Sequence, residues 1–166
     1  MNSEMHVVKR NTLMLVAIAS LILNCILGIL LYDKSTISAK SSAVYAVFLG
    51  ELQAAMQESD RAIHDTGKPL QYDVNQQNQY ISEASSLLAG MEPEMMHHGI
   101  DVSQVVNALY SAFIPNLTMP NIVNESHVTI NEVYNSLGHT EFRDGRVAQL
   151  KHAVVSLTNK LASRHL

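Results

Sequence analysis

Tryptophan is missing from this chain, and there is a single cysteine, Cys25. A lone thiol forms no intramolecular disulfide and cannot supply a cysteine-based metal site, so a small secreted scaffold stapled by disulfides is excluded. Charge is also sparse, at 16% of residues. What charge there is leans acidic, with 11 Lys/Arg against 15 Asp/Glu and a net of −4. Lys9, Arg10 and Glu4 all precede residue 12, so the chain from Asp33 onward holds 9 basic against 14 acidic side chains. An acidic domain has no general attraction for a phosphate backbone, and nucleic acid is not an expected partner. Catalytic signatures are lacking as well. There is no Gly-x-Ser-x-Gly elbow, no His-Glu-x-x-His and no phosphate-cradling glycine loop. The sequence reads as a non-enzyme.

The feature that stands out is residues 12–32, TLMLVAIASLILNCILGILLY, which carry no formal charge. At 1.5 Å per residue a helix of this length spans roughly 31 Å, the thickness of a bilayer's hydrocarbon core. A helix apolar on every side must be enclosed by protein or lipid, and the short polar stretch before it is too small to wrap it. The run is longer than the apolar core of a cleaved secretory signal, and no small-residue cleavage pattern follows closely. Asn24 stands before Cys25 where a lipoprotein would need a small residue. The expectation is an uncleaved signal anchor. Lys9 and Arg10 abut its start, which sets the N-terminus on the cytoplasmic side of the cell membrane and the remainder outside. Ala17, Ser20, Asn24 and Gly28 recur at helical spacing on one side of the run. Small residues let membrane helices approach closely, and a mid-bilayer Asn seeks an interhelical hydrogen bond. These four residues are the expected pairing face for a homo-oligomer or a membrane-protein partner.

Beyond the anchor, residues 33–42 are rich in serine and read as a juxtamembrane juncture or as the first turns of a continuing helix. Residues 43–166 carry the 3.6-residue periodicity of amphipathic helices. Val44, Phe48, Leu52, Ala55, Met56 and Ile63 form the first apolar stripe, stopped by Gly67 and Pro69. Val74, Ile81 and Leu88, with Ala84 and Leu87, form the second over residues 72–89. Gly90 and Pro93 mark its expected end, and the Asn/Gln run at 75–79 is expected to face solvent. Asp101 opens a third helix with Gln104 as its capping-box partner; Val102, Val105, Val106, Leu109, Tyr110 and Phe113 make its apolar face. A fourth covers residues 126–137, with Val128, Val133, Tyr134 and Leu137 inward. The fifth is the most regular: Val147, Leu150, Val154, Leu157 and Leu161 alternate spacings of 3 and 4. No stretch shows the period of a strand. The expected architecture is all-α: an N-terminal transmembrane helix, preceded by a short tail at 1–11 and followed by an antiparallel bundle of four to five helices.

One cluster of metal-binding side chains interrupts this pattern. Met91, Met95 and Met96 with His97 and His98 bring thioethers beside imidazoles, the ligand types that suit Cu(I). An outward-facing domain is where copper would be met, so extracytoplasmic copper binding is one alternative reading. Methionines also fill core gaps, and the sequence requires no cofactor. A small-molecule-sensing bundle is a further alternative. The leading expectation is a membrane-anchored bundle acting as an interaction or regulatory module.

Overall fold

The computed structural model describes residues 20–27, 36–64, 70–115 and 121–163. The chain divides into two compact units, Met1–Thr36 and Ile37–Leu166. In the first, residues 20–27 are α-helical with every residue exposed. Residues 12–19 and 28–32 of the apolar run lie outside the described residues. Among the described residues no helix is long and apolar enough to cross a membrane.

The second unit is a helical bundle: α1 (Ala39–His64), α2 (Leu70–His97), α3 (Ser103–Ser111), α4 (Ile122–Leu137) and α5 (Val147–Ser163). Along α1, Tyr45, Phe48, Leu52, Ala55 and Ser59 are buried at alternating spacings of 3 and 4, which keeps one seam of the helix facing its neighbours. On α5, Leu150, Val154, Leu157 and Leu161 do the same. Side-chain bonds fix the directions. Ser41, near the start of α1, donates to Glu94 near the end of α2, so these two long helices are antiparallel. Tyr45 bonds to Thr140, just past the end of α4, at 2.6 Å, and Ser59 bonds to His127 in the second turn of α4 at 3.1 Å. α1 therefore lies antiparallel to both α2 and α4, while α5 packs on α3 and α4.

Several local readings change against the structure. α2 does not stop at Gly90 but runs through Pro93 to His97. An interior proline costs about 3 kcal/mol, yet the extra turns bury Met91 and Met95, each contributing roughly 1.5–3 kcal/mol. Burial wins. The stop is Gly99 at φ 71°, a backbone state that glycine reaches without strain. The amide of Ile100 bonds to the carbonyl of Met95 at 2.9 Å and that of Gly99 to Met96 at 2.9 Å. This is a Schellman cap closed by the apolar contact of Ile100 over the last turn.

Asp101 accepts from the amide of Ser103 at 3.0 Å and from its hydroxyl at 2.6 Å, so Ser103 rather than Gln104 is its partner. The hydroxyl first, then the amide, holds the Asp101 carboxyl below the usual carboxylate range. Tyr110, Phe113 and Val128, expected inward, are exposed. Phe142, in the α4–α5 loop, is buried instead, with Tyr45 and His98 packed edge-on against its ring. Ile37 and Ser41 of the serine-rich juncture are built into the bundle, the Ile37 amide donating to Asp144 at 3.0 Å.

Candidate functional site

The end of the bundle where α1 finishes and α2 begins holds a buried polar layer. Asp73 and Gln77 are one turn apart on α2, so they share a helix face, and they are exposed to 1% and 0% respectively. Gln77 Nε2 donates to Ser126 Oγ at 2.7 Å, and Ser126 in turn donates to the carbonyl of Ala112. The next residue of α4, His127, bonds through Nδ1 to Ser59 of α1. Neighbouring residues in the second turn of α4 thus tie down both long helices. Asn78 fastens the end of α3 to α2 by a reciprocal pair, donating to the Ile114 carbonyl at 2.7 Å and accepting from its amide at 2.9 Å.

The network leaves three acceptors over. Asp73 Oδ1, Asp73 Oδ2 and Gln77 Oε1 are buried and meet no hydrogen-bond partner among the described residues. The amide orientation of Gln77 follows from its neighbours rather than from choice. The single hydroxyl proton of Ser126 is committed to Ala112, so Ser126 can only accept from Gln77. That places Nε2 toward Ser126 and turns Oε1 away as the unmatched atom. Unmatched buried acceptors cost roughly 1–3 kcal/mol each, and more where the group is charged. A cost of this kind in a folded protein calls for a partner that the described residues do not supply.

Ser59, His127 and Asp60 bring together the residue types of a nucleophilic triad without its geometry. Both Ser59 Oγ, at 3.1 Å, and Asp60 Oδ1, at 3.6 Å, approach the same ring nitrogen, Nδ1. A proton relay needs the serine and the carboxylate on opposite nitrogens. Ser59 is also fully buried. The arrangement holds the imidazole in place instead. The ring forms part of the wall of a groove of about 510 Å³ between α4 and α5, with Asn131, Glu132, His152 and Lys160 among the other lining residues. A second cavity, of about 460 Å³, lies beside Ser126 and is lined by Asn124, Glu125 and Thr129 among others.

The residues singled out from the sequence fall elsewhere. Met91 and Met95 are buried in the main core, Met96 and His97 are exposed, and His98 is half-buried with its ring 5.7 Å from that of Phe142. The four on α2 are divided between its core face and its outer face, and His98 lies just past its end. Among the described residues, no three His, Cys, Asp or Glu side chains are grouped so as to hold a metal ion. Of the expected pairing face, Ser20 and Asn24 are described and exposed; Ala17 and Gly28 lie outside the described residues. The Asn/Gln run at 75–79 does not wholly face solvent, since Gln77 is buried in the polar layer. The signal for that layer lay in α2, where Asp73 and Gln77 continue the spacing of Ile81, Ala84 and Leu88. No protein-family model matches this sequence, and neither curated proteins nor solved structures include a significant match.

Proposed function

We propose that this chain is a single-pass membrane protein, N-terminus in the cytoplasm, whose extracytoplasmic helical bundle is an interaction or regulatory module that associates through its anchor. The observation that carries this reading is the state of residues 20–27. Leu21, Ile22 and Leu23 succeed one another on different sides of the helix, yet they are 67%, 53% and 58% exposed. Burying a side chain of this kind is worth roughly 1.5–3 kcal/mol, so a helix apolar all round calls for an apolar environment that the described residues do not provide. The uncharged residues on either side extend the same need to bilayer length. Asn24 and Ser20, together with Ala17 and Gly28, supply the pairing face, where an Asn hydrogen bond between helices is worth about 1–2 kcal/mol.

Membrane fractionation of the full-length protein tests the anchor: it is expected to stay with the membranes after alkaline carbonate and to leave only with detergent. Recovery in the aqueous fraction would overturn the reading. Cys25, the sole thiol, reports on the same point, since within lipid it is expected to resist a membrane-impermeant maleimide until detergent is added. Crosslinking in intact membranes tests the pairing face, and Asn24→Leu is expected to shift the population from dimer toward monomer. An unchanged distribution removes the role given to Asn24.

A further inference from the structure

The polar layer at the end of α1 and the start of α2 stands apart from anchoring and association. We propose that Asp73 and Gln77 form a buried receptor for a protonated primary amine, reached from the cavity beside Ser126. The three unmatched acceptors, Asp73 Oδ1, Asp73 Oδ2 and Gln77 Oε1, sit on successive turns of one helix face. An ammonium group brings three N–H donors and one positive charge. It therefore matches the layer in number of bonds and in charge, and pairing is what a carboxylate removed from water requires.

A divalent metal ion fits the same place less well. Calcium takes six to eight oxygen ligands and magnesium an octahedron, whereas the unmatched acceptors of the layer, among the described residues, are one carboxylate and one amide oxygen. Among the described residues there is no cluster of three acidic, His or Cys side chains to add to them. Quaternary ammonium ions have charge but no N–H, and would leave the acceptors unmatched.

The surroundings favour a cation. Ser126 lines the cavity of about 460 Å³ and is bonded to Gln77, so one side chain stands between the cavity and the layer, and an amine enters by displacing it. Glu125, exposed, stands on the same cavity wall, which places a second negative charge at the approach. The chain as a whole is acidic, at −4, and a field of that sign raises the local concentration of cations. An amine whose carbon body rests in the cavity against Ile122 and Val128 would carry its nitrogen toward Gln77 and Asp73.

The test uses the full-length protein in detergent, with the melting temperature followed against concentration of n-butylammonium chloride. The melting temperature is expected to rise in a saturable way, with tetramethylammonium, sodium and calcium chlorides at equal ionic strength giving no comparable rise. Asp73→Asn is expected to abolish the response, Gln77→Leu to weaken the apparent affinity about tenfold, and Glu125→Gln to weaken it a few-fold. Cooperative melting of each variant without amine serves as the folding control. Should Asp73→Asn not fold, the Gln77→Leu and Glu125→Gln titrations decide. The proposal is overturned by no rise with n-butylammonium, by an equal rise with tetramethylammonium, by a response to the metal ions in place of the amine, or by a response that survives in the folded variants.

Discussion

At one end of the bundle the Tyr45 hydroxyl bonds to Thr140, Thr140 bonds on to the Leu137 carbonyl at 2.7 Å, Ser41 reaches Glu94, and the Ile37 amide is held by Asp144. At the other end Asp73 and Gln77 are just as deeply buried, but three of their oxygens meet nothing among the described residues. The same helices make both ends, so helix propensity does not explain the contrast. The first end resembles an interior in which each polar group found its partner during folding, and its network raises stability and fixes the loop between α4 and α5. The second retains a desolvation cost that the described residues do not offset.

The contrast fails first if the well-matched end is not the stronger one. Phe142→Ala removes the ring that Tyr45 and His98 pack against and is expected to cost about 3–5 kcal/mol, read from the urea midpoint at unchanged slope. Asp73→Leu should act in the opposite direction. With the unmatched carboxylate gone, the unfolding free energy without amine is expected to rise by about 1–3 kcal/mol; a fall would mean that Asp73 already has a stabilising partner.

The third expectation concerns pH. Burial pushes the Tyr45 phenol up to about 12 from its ordinary 10.0, against a smaller opposing effect of its bond to Thr140. Between pH 10.0 and about 12 the unfolded chain has lost this proton while the folded chain keeps it. Stability contributed below pH 10.0 is therefore lost as the pH climbs, at about 1.4 kcal/mol per pH unit. Tyr45→Phe is expected to abolish that slope, measured by urea unfolding in alkaline buffers, while costing about 1 kcal/mol at neutral pH. The smallest effect lies between the two ends. Burial, and then Glu83 facing it, pushes the Glu51 carboxyl up, so its stabilising share is present at acid pH and lost as the pH rises past the usual carboxylate range. Glu51→Gln should gain a few tenths of a kcal/mol at neutral pH and nothing at pH 4, with no influence on either end.

Apolar periodicity made the bundle legible. α5 could be read residue by residue, because Leu150, Val154, Leu157 and Leu161 repeat without interruption and all four are buried. α2 was legible only as far as Gly90, since the proline rule is local while the burial that carries the helix past Pro93 is tertiary. Phe142 and Thr140 gave no signal, because isolated loop residues have no period. The polar layer was hidden for a different reason. Asp73 and Gln77 stand where the apolar spacing of α2 requires core residues, but their polarity assigns them to the surface in any reading by hydrophobic pattern. Ser59, Ser126 and His127 are common surface types, and only the crossing of α1, α2 and α4 makes them a group. Glutamine at a core position was the one available clue.

The second turn of α4 has a mechanical consequence. Since Ser126 grips α2 and His127 grips α1, the turn works as a keystone between the two longest members of the structure. Unwinding α4 from Ile122 through His127, its sixth residue, releases both grips together, so hydrogen exchange near Ser59 and near Gln77 should rise and fall in step, although these positions belong to different helices. What settles in the cavity beside Ser126 would be felt along α1 and α2 at once.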